Sequence, residues 1–284
     1  MIYIIIPVHN RKNYTRNCLL SLRKQTYKNF KTIVIDDGSI DKTNEMLKKE
    51  FPEIILLKGD GNLWWTASIN LGIKCAIKNK ADYIMTLNND TIPKKDFLEK
   101  MMLWTEKKPN FILGALELDA KTKKLIYGGE IIDWKTASYK SLLKTLKPKK
   151  RKGIHKTTHL PGRGLFIPSH IFKKIGLFDE KHLPHYAADF DFTHRAVKAG
   201  YNVYCNYDAK LLTYPEESGD KKNKRKRNLK NYYNTLFSRN GGGNLKDYFH
   251  YAVKNCPRQW LPSFLIIGIF RRIFGYPYHW IFDK

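Results

Sequence analysis

Carboxylates stand at the ends of several apolar runs of this chain: Asp36 and Asp37 after "FKTIVI", Asp90 after "DYIMTLNN", and Asp189 with Asp191 inside "AADFDF". Carboxylates accept hydrogen bonds from N–H and O–H donors, and they bind oxygen-seeking divalent cations such as Mg²⁺ or Mn²⁺. A phosphate brought beside Asp90 is repelled unless a divalent metal bridges the two, so a metal-bound nucleoside diphosphate satisfies both demands. Asp189 suggests a different chemistry. "PHYAADFDFTHRAVKAGY" reads as a loop that becomes a helix, with Phe192, Ala196 and Val197 on its apolar face, so Asp189 falls in or near the first turn. The helix dipole and free amides favour the anion there. Such a carboxylate is either a plain helix cap or a general base in reach of a hydroxyl. Asp191, two residues on, points to another face and orients the loop or an acceptor.

The elements that must position these groups follow an α/β rhythm. "YIIIPV" is a continuous apolar run suited to a strand buried on both faces. "NRKNYTRNCLLSLRKQ" places Tyr14, Cys18, Leu19 and Leu22 at helical spacing. "FKTIVIDDGS" is a second strand, and "IDKTNEMLKKEF" a second helix with Ser39 or Asp41 as its N-cap. "EIILLKG", "TASINLGIKCAIKNK" and "DYIMTLNND" continue the alternation. Strands alternating with helices imply right-handed crossovers and a mostly parallel sheet, in which ligands bind beyond the carboxyl ends of the strands. "PVHNR", "DDGS", "GDGN" and "NND" all fall at that edge. No G-x-G-x-x-G follows the first strand and no G-x-x-x-x-G-K-[ST] occurs, so a glycine cradle is excluded as the holder of the diphosphate.

In this order and spacing the motifs resemble a family 2 glycosyltransferase of the GT-A fold. The resemblance covers roughly residues 1 to 215: "IIIPVHNR", "VIDDGSIDKT", "LNND" in place of a D-x-D metal motif, and "GLFDEKHLPHYAADFDFTHRAVKAGY" as acceptor and base region. "GDGNLWWTASINLGI" is similar to a bacterial rhamnosyltransferase-like subgroup. The resemblance implies that Pro7, Val8, His9 and Asn10 flank the base and ribose, that Asp36 accepts from the base N–H, and that Asp37 acts through the loop. It puts Asn62 and Asn89 near the nucleotide, and Trp64, Trp65, Gly162, Arg163, Gly164, His185 and Asp191 near the donor or acceptor sugar. Asp90 would bind Mn²⁺ or Mg²⁺, and Asp189 would be the catalytic base of a single inverting displacement. Two departures thin the pattern: Asn-Asn-Asp supplies one carboxylate, and Thr213 and Tyr214 stand where many relatives carry a histidine. Ala188 replaces the first acid of E-D-x-D versions. Read by residue type alone, "LPGRGLFIP" is also a turn opening a strand, and the Trp pair is either core or a stacking platform.

Composition bounds the rest. The 284 residues carry 52 Lys and Arg against 26 Asp and Glu, a net charge of +26. Such an excess favours polyanions: nucleic acid, anionic lipid or phosphorylated substrates. Residues 220–284 hold 14 Lys and Arg and 3 acids. The division read from this is a catalytic domain over residues 1–215, with a nucleotide half (1–90) and an acceptor half (91–215), and a basic helical extension over 216–284. Residues 136–157 read as a basic loop near the site. The apolar run "FLIIGIF" is seven residues long before Arg271 and Arg272, short of the roughly 20 a spanning helix needs. It either lies on an anionic membrane surface or docks on the domain or a homodimer partner. Cys18, Cys75, Cys205 and Cys256 form no CxxC pair and no cleavable signal is evident, so the chain reads as cytosolic, peripheral on the inner membrane face.

The expected function is metal-dependent transfer of a sugar from a nucleoside diphosphate sugar, UDP or dTDP favoured, to a surface polysaccharide or lipid-linked glycan. A sugar-1-phosphate nucleotidyltransferase is the alternative enzyme, but "PVHNRKN" lacks the glycines of its phosphate loop. A nucleic-acid-binding protein is the third, but the acidic sheet edge repels phosphates without metal.

Overall fold

The hydrophobic runs and the strands coincide closely. The computed structural model describes residues 1–217 and 228–282. The first strands are β1 (Ile2–Val8), β2 (Phe30–Asp37), β3 (Ile55–Gly59), β4 (Tyr83–Thr86) and β5 (Thr91–Pro93). Then follow β6 (Phe111–Asp119), β7 (Leu125–Tyr127), β8 (Glu130–Asp133), β9 (Ser138–Ser141), β10 (Ile154–Lys156), β11 (Leu165–Pro168) and β12 (Asn202–Thr213). The main sheet runs β10-β12-β6-β11-β4-β1-β2-β3, with β5 beside β12 and β7 beside β6. As expected, β1 to β4 pair in parallel. β11 then enters antiparallel between β4 and β6, and β6 pairs in parallel with β12.

Helices cover both faces. The helices α1 (Lys12–Arg23), α2 (Thr43–Glu50), α3 (Trp64–Lys78) and α4 (Phe97–Lys107) belong to the crossovers. Alternation along β1 and β2 splits the core. Ile4, Ile6 and Val34 pack with Cys18, Leu19 and Leu22 of α1, whereas Ile5, Ile33 and Ile35 pack with Ile69 and Ile73 of α3. The backbone of α3 lies so close to the sheet that a Cβ on Gly72 would stand 2.4 Å from a methyl of Ile5. α2 begins at Thr43 after Lys42, not after a capping side chain. Asp41 accepts instead from the Thr43 and Lys12 amides, so it joins α2 to α1.

The stretch 136–157, expected as a loop, is mostly in regular elements. β9 closes a hairpin with β8, α5 (Leu142–Thr145) follows, and β10 adds an edge strand to β12. Lys and Pro concealed short strands whose pairing comes from their neighbours, β8 for β9 and β12 for β10, rather than from their own pattern. After β11, α6 (His170–Ile175) and α7 (Ala188–Lys198) lead into β12.

Beyond residue 228 the chain is helical, in Leu229–Phe237, Leu245–Asn255 and Leu261–Phe282. These helices complete the sheet domain's own core: Tyr248, Tyr251, Ala252 and Phe264 belong to the cluster that holds Phe178, Ala188 and Phe192. "FLIIGIF" is part of a 22-residue helix, and among the described residues no helix is long and apolar enough to cross a membrane. The basic segment 218–227 lies outside the described residues.

Candidate active site

A cleft of about 700 Å³ opens beyond the carboxyl ends of β1, β2 and β4, lined by Pro7, Val8, His9, Asp37, Trp64, Trp65, Asn89, Asp90, Gly162, Arg163, His185 and Asp189. The chain supplies these side chains from turns, where strand pairing ends and polar groups face solvent or ligand.

β2 decides which acid faces the cleft. Asp36 follows Val34 to the α1 side and is 4% exposed. It accepts from the Ser39 amide at 3.1 Å and from Asn44, and it does not reach the cleft. Asp37 follows Ile35 to the α3 side, lines the cleft, and accepts from the amides of Gly61, Leu63 and Trp64 at 2.8, 3.0 and 3.1 Å. Of the two acids, Asp37 is thus the one that lines the cleft, a choice that strand alternation makes. The same carboxylate shapes the turn into α3, where Trp64 has a positive φ of 58°. His9 Nδ1 lies 2.6 Å from the Asp37 carbonyl. Asn10 and Asn62 are exposed: Asn10 Oδ1 accepts from the Ile40 amide in the loop after β2, and the Asn62 amide donates to Asp60 in its own loop.

The "NND" turn is fully engaged. Asn88 Oδ1 accepts from Trp65 Nε1 at 3.0 Å, and Asn89 Nδ2 donates to the Thr15 hydroxyl. Asp90 Oδ2 lies 2.7 Å from Arg11 Nη1, and Arg11 Nη2 donates to the Glu217 carbonyl at 2.7 Å. Among the described residues, no three His, Cys, Asp or Glu side chains form a metal-holding group. The set present fits a cation held by one carboxylate, whose shell is filled by phosphate and water, and that cation would share Asp90 with Arg11.

Asp189 sits in the first turn of α7 and lines the cleft. Its Oδ2 accepts from the Gly162 amide at 2.7 Å and its Oδ1 from the Phe190 amide at 2.9 Å. Burial raises its pKa above the ordinary aspartate value, against the lowering by these two amides and by Arg163. Gly162 is required: a Cβ there would stand 2.2 Å from the Trp65 ring. Gly164 has a φ of +71° and opens β11 beneath the cleft. His185 packs edge-on against Trp64, 5.5 Å between centroids. Burial, then Arg11, pushes its pKa down to about 4, so the ring is neutral at neutral pH.

Asp191 has other work. It is fully buried, with Arg195 at 2.8 Å, Lys254 at 3.2 Å and Asn255 at 2.9 Å, and so fastens the helix Leu245–Asn255 to α7. Its place two residues beyond Asp189 turns it to the opposite side of the helix. Arg11 and Glu117 are among the cleft residues not anticipated from sequence. Arg11 was visible inside "PVHNR". Glu117 was visible as an acid within the apolar strand "FILGALELD", and a buried charge there is the informative observation.

The sequence pattern of the family described as Glycosyl transferase family 2 matches residues 3–167. The chain belongs to this family. Among relatives of this family 2 glycosyltransferase, an uncharacterized glycosyltransferase of Rickettsia typhi is 32% identical over 219 residues, covering 73% of this chain and 62% of that protein. One from Rickettsia prowazekii is 32% identical over 203 residues, covering 67% of this chain and 57% of its own length. The chain thus spans about three-fifths of the length of these relatives. In fold, it is similar to GalNAc-T7, crystallised with UDP, GalNAc and Mn²⁺, with a TM-score of 0.62 at 15% identity over 75% of this chain and 43% of that one. TarS 1-349 of S. aureus gives a TM-score of 0.57 at 14% identity, over 100% of this chain and 92% of that one. The GT-A architecture is common to all three.

Proposed function

We propose that this chain transfers a sugar from a nucleoside diphosphate sugar, with UDP or dTDP favoured, to a hydroxyl of a surface polysaccharide or lipid-linked glycan, with inversion. The observation that carries the reading is one cleft lined by His9, Asp37, Asp90 and Asp189 together. The base and ribose occupy the turn of Pro7, Val8 and His9, where Asp37 retains capacity to accept the N–H that uracil and thymine share. A divalent metal, where bound, would be held by Asp90 and would supply positive charge to offset that developing on the diphosphate.

Asp189 is the general base. Its two amide donors fix the carboxylate, and the Trp65 ring beneath Gly162 fixes the amide that donates to Oδ2. Asp189 takes the acceptor hydroxyl proton as the oxygen attacks the anomeric carbon, and the bond from that carbon to the diphosphate oxygen breaks. Trp64 and His185 form an apolar wall that keeps water from competing with the acceptor. A lipid-linked acceptor agrees with the exposed stripe of Ile266, Phe270, Phe274 and Ile281 on the last helix, an apolar face suited to a membrane interface with bases beside it.

A thermal-shift panel of nucleoside diphosphates and their sugars, with and without Mn²⁺, tests the reading. Stabilisation by UDP, dTDP or one of their sugars, enhanced by Mn²⁺ and lost in Asp90→Ala, is the expected result. Salt-sensitive binding to duplex DNA with no shift from any nucleotide sugar overturns it.

A further inference from the structure

Glu117 is the one acid of β6 placed in the cleft, and the proposed transfer chemistry leaves it without a task. It is fully buried. Its Oε2 accepts from Arg163 Nη2 at 3.0 Å and from Nε at 3.1 Å. Its other oxygen, Oε1, is buried and has no hydrogen-bond partner among the described residues. A buried carboxylate oxygen without a donor is costly, and buried polar groups left unpaired in a folded chain call for a reason. The side chain lines the same cleft as Asp90 and Asp189, and the charges of both act on it and on Arg163.

Arg163 is itself held in place. Its neighbour Gly162 donates to Asp189, and Gly164 donates its amide to the Thr86 carbonyl at 2.9 Å. The Glu117 carboxylate is therefore fixed through one oxygen by the Arg163 guanidinium, and its second oxygen is left without a donor. Under the proposed function the transferred sugar sits in the cleft that Glu117, Asp90 and Asp189 line together.

We infer that Glu117 Oε1 accepts a hydrogen bond from a hydroxyl of the transferred sugar, with Arg163 as its positioning partner, so that the pair reads donor identity. The inference rests on the nucleotide-sugar reading and narrows it: the donor carries a free hydroxyl at the position facing β6. A site built to pair a substrate hydroxyl discriminates strongly against the analogue that lacks it, because its own buried group is left unpaired.

The test is a titration of the full chain with UDP, dTDP, a panel of UDP- and dTDP-hexoses, and the monodeoxy analogues of whichever donor binds. One deoxy analogue should bind wild type about ten- to a hundredfold more weakly than its parent, as for a hydrogen bond to a charged group. Glu117→Gln should weaken the parent donor and shrink that discrimination while binding the free nucleotide as wild type does. Glu117→Ala should abolish it. The wild-type comparison stands even if either variant fails to fold. Donor binding with no loss for any deoxy analogue, or discrimination unchanged in the variants, overturns the assignment of Glu117. No binding of any nucleotide sugar, with or without Mn²⁺, overturns the underlying reading instead.

Discussion

Arg11 Nη1 stands 2.7 Å from Asp90 Oδ2, and the same guanidinium reaches the Glu217 carbonyl beyond β12. One carboxylate therefore answers to an arginine and, in the proposed transfer, to a divalent cation. Both partners are partly exposed, which limits the ion pair to a modest strength. Arg11→Gln removes the competitor, so Mn²⁺ should be held about two- to fivefold more tightly, in line with partly exposed ion pairs. The Mn²⁺ dependence of nucleotide-induced stabilisation measures this. Unchanged dependence would separate Arg11 from the metal.

Asp189 and Asp191 lie two residues apart with different expectations. Asp191→Ala leaves Arg195 and Lys254 without their shared buried carboxylate, at a cost of roughly 3–5 kcal/mol as for other broken buried pairs. Asp189→Asn keeps one amide-accepting oxygen and turns an NH₂ toward the other N–H donor, so it should cost less, about 1–3 kcal/mol as for a buried donor left unpaired. Urea unfolding of the two variants reads the contrast.

The raised pKa of Asp189 has a direction in pH. The base works only when deprotonated, so kcat/KM should rise with pH along an acid limb whose midpoint lies above the ordinary aspartate value of 3.8. Its linkage to stability has the opposite sign. The folded state binds this proton more tightly than the unfolded state, so this group's contribution to stability declines as pH rises from the unfolded pKa to the folded one. A pH–rate profile beside a pH–stability profile checks both.

Gly162→Ala should damage structure and chemistry together. The new Cβ meets the Trp65 ring, and relieving that contact moves the amide that donates to Asp189. Overpacking of this kind costs about 1–3 kcal/mol, and turnover should fall more than nucleotide affinity. Equal loss of both would argue that the substitution acts on folding alone.

Much of this was legible in the chain. The buried isoleucines of β1 and the strand-end polar clusters predict a parallel sheet with its site at one edge, and the helix beginning at "AADFDF" puts Asp189 in the first turn. What escaped depends on choices local pattern does not make. "DDGS" offers two acids, and only the pairing of Ile35 with α3 turns Asp37 toward the cleft. Lys-rich residues 136–157 carry β9 and β10 because neighbouring strands supply partners. Glu117 was readable as an anomaly in β6, but its pairing with Arg163 across 46 residues belongs to the tertiary fold. Residues Tyr248 to Phe264 resemble a separate extension by composition, yet they fill the main core.

Nucleotide release from the activated donor by purified wild type and Asp189→Asn tests the proposed transfer most directly. Both should bind the nucleotide sugar alike, while the variant transfers the sugar slower by about 10²–10⁴, the usual worth of a positioned general base. Transfer at a near-normal rate by Asp189→Asn would contradict the proposal.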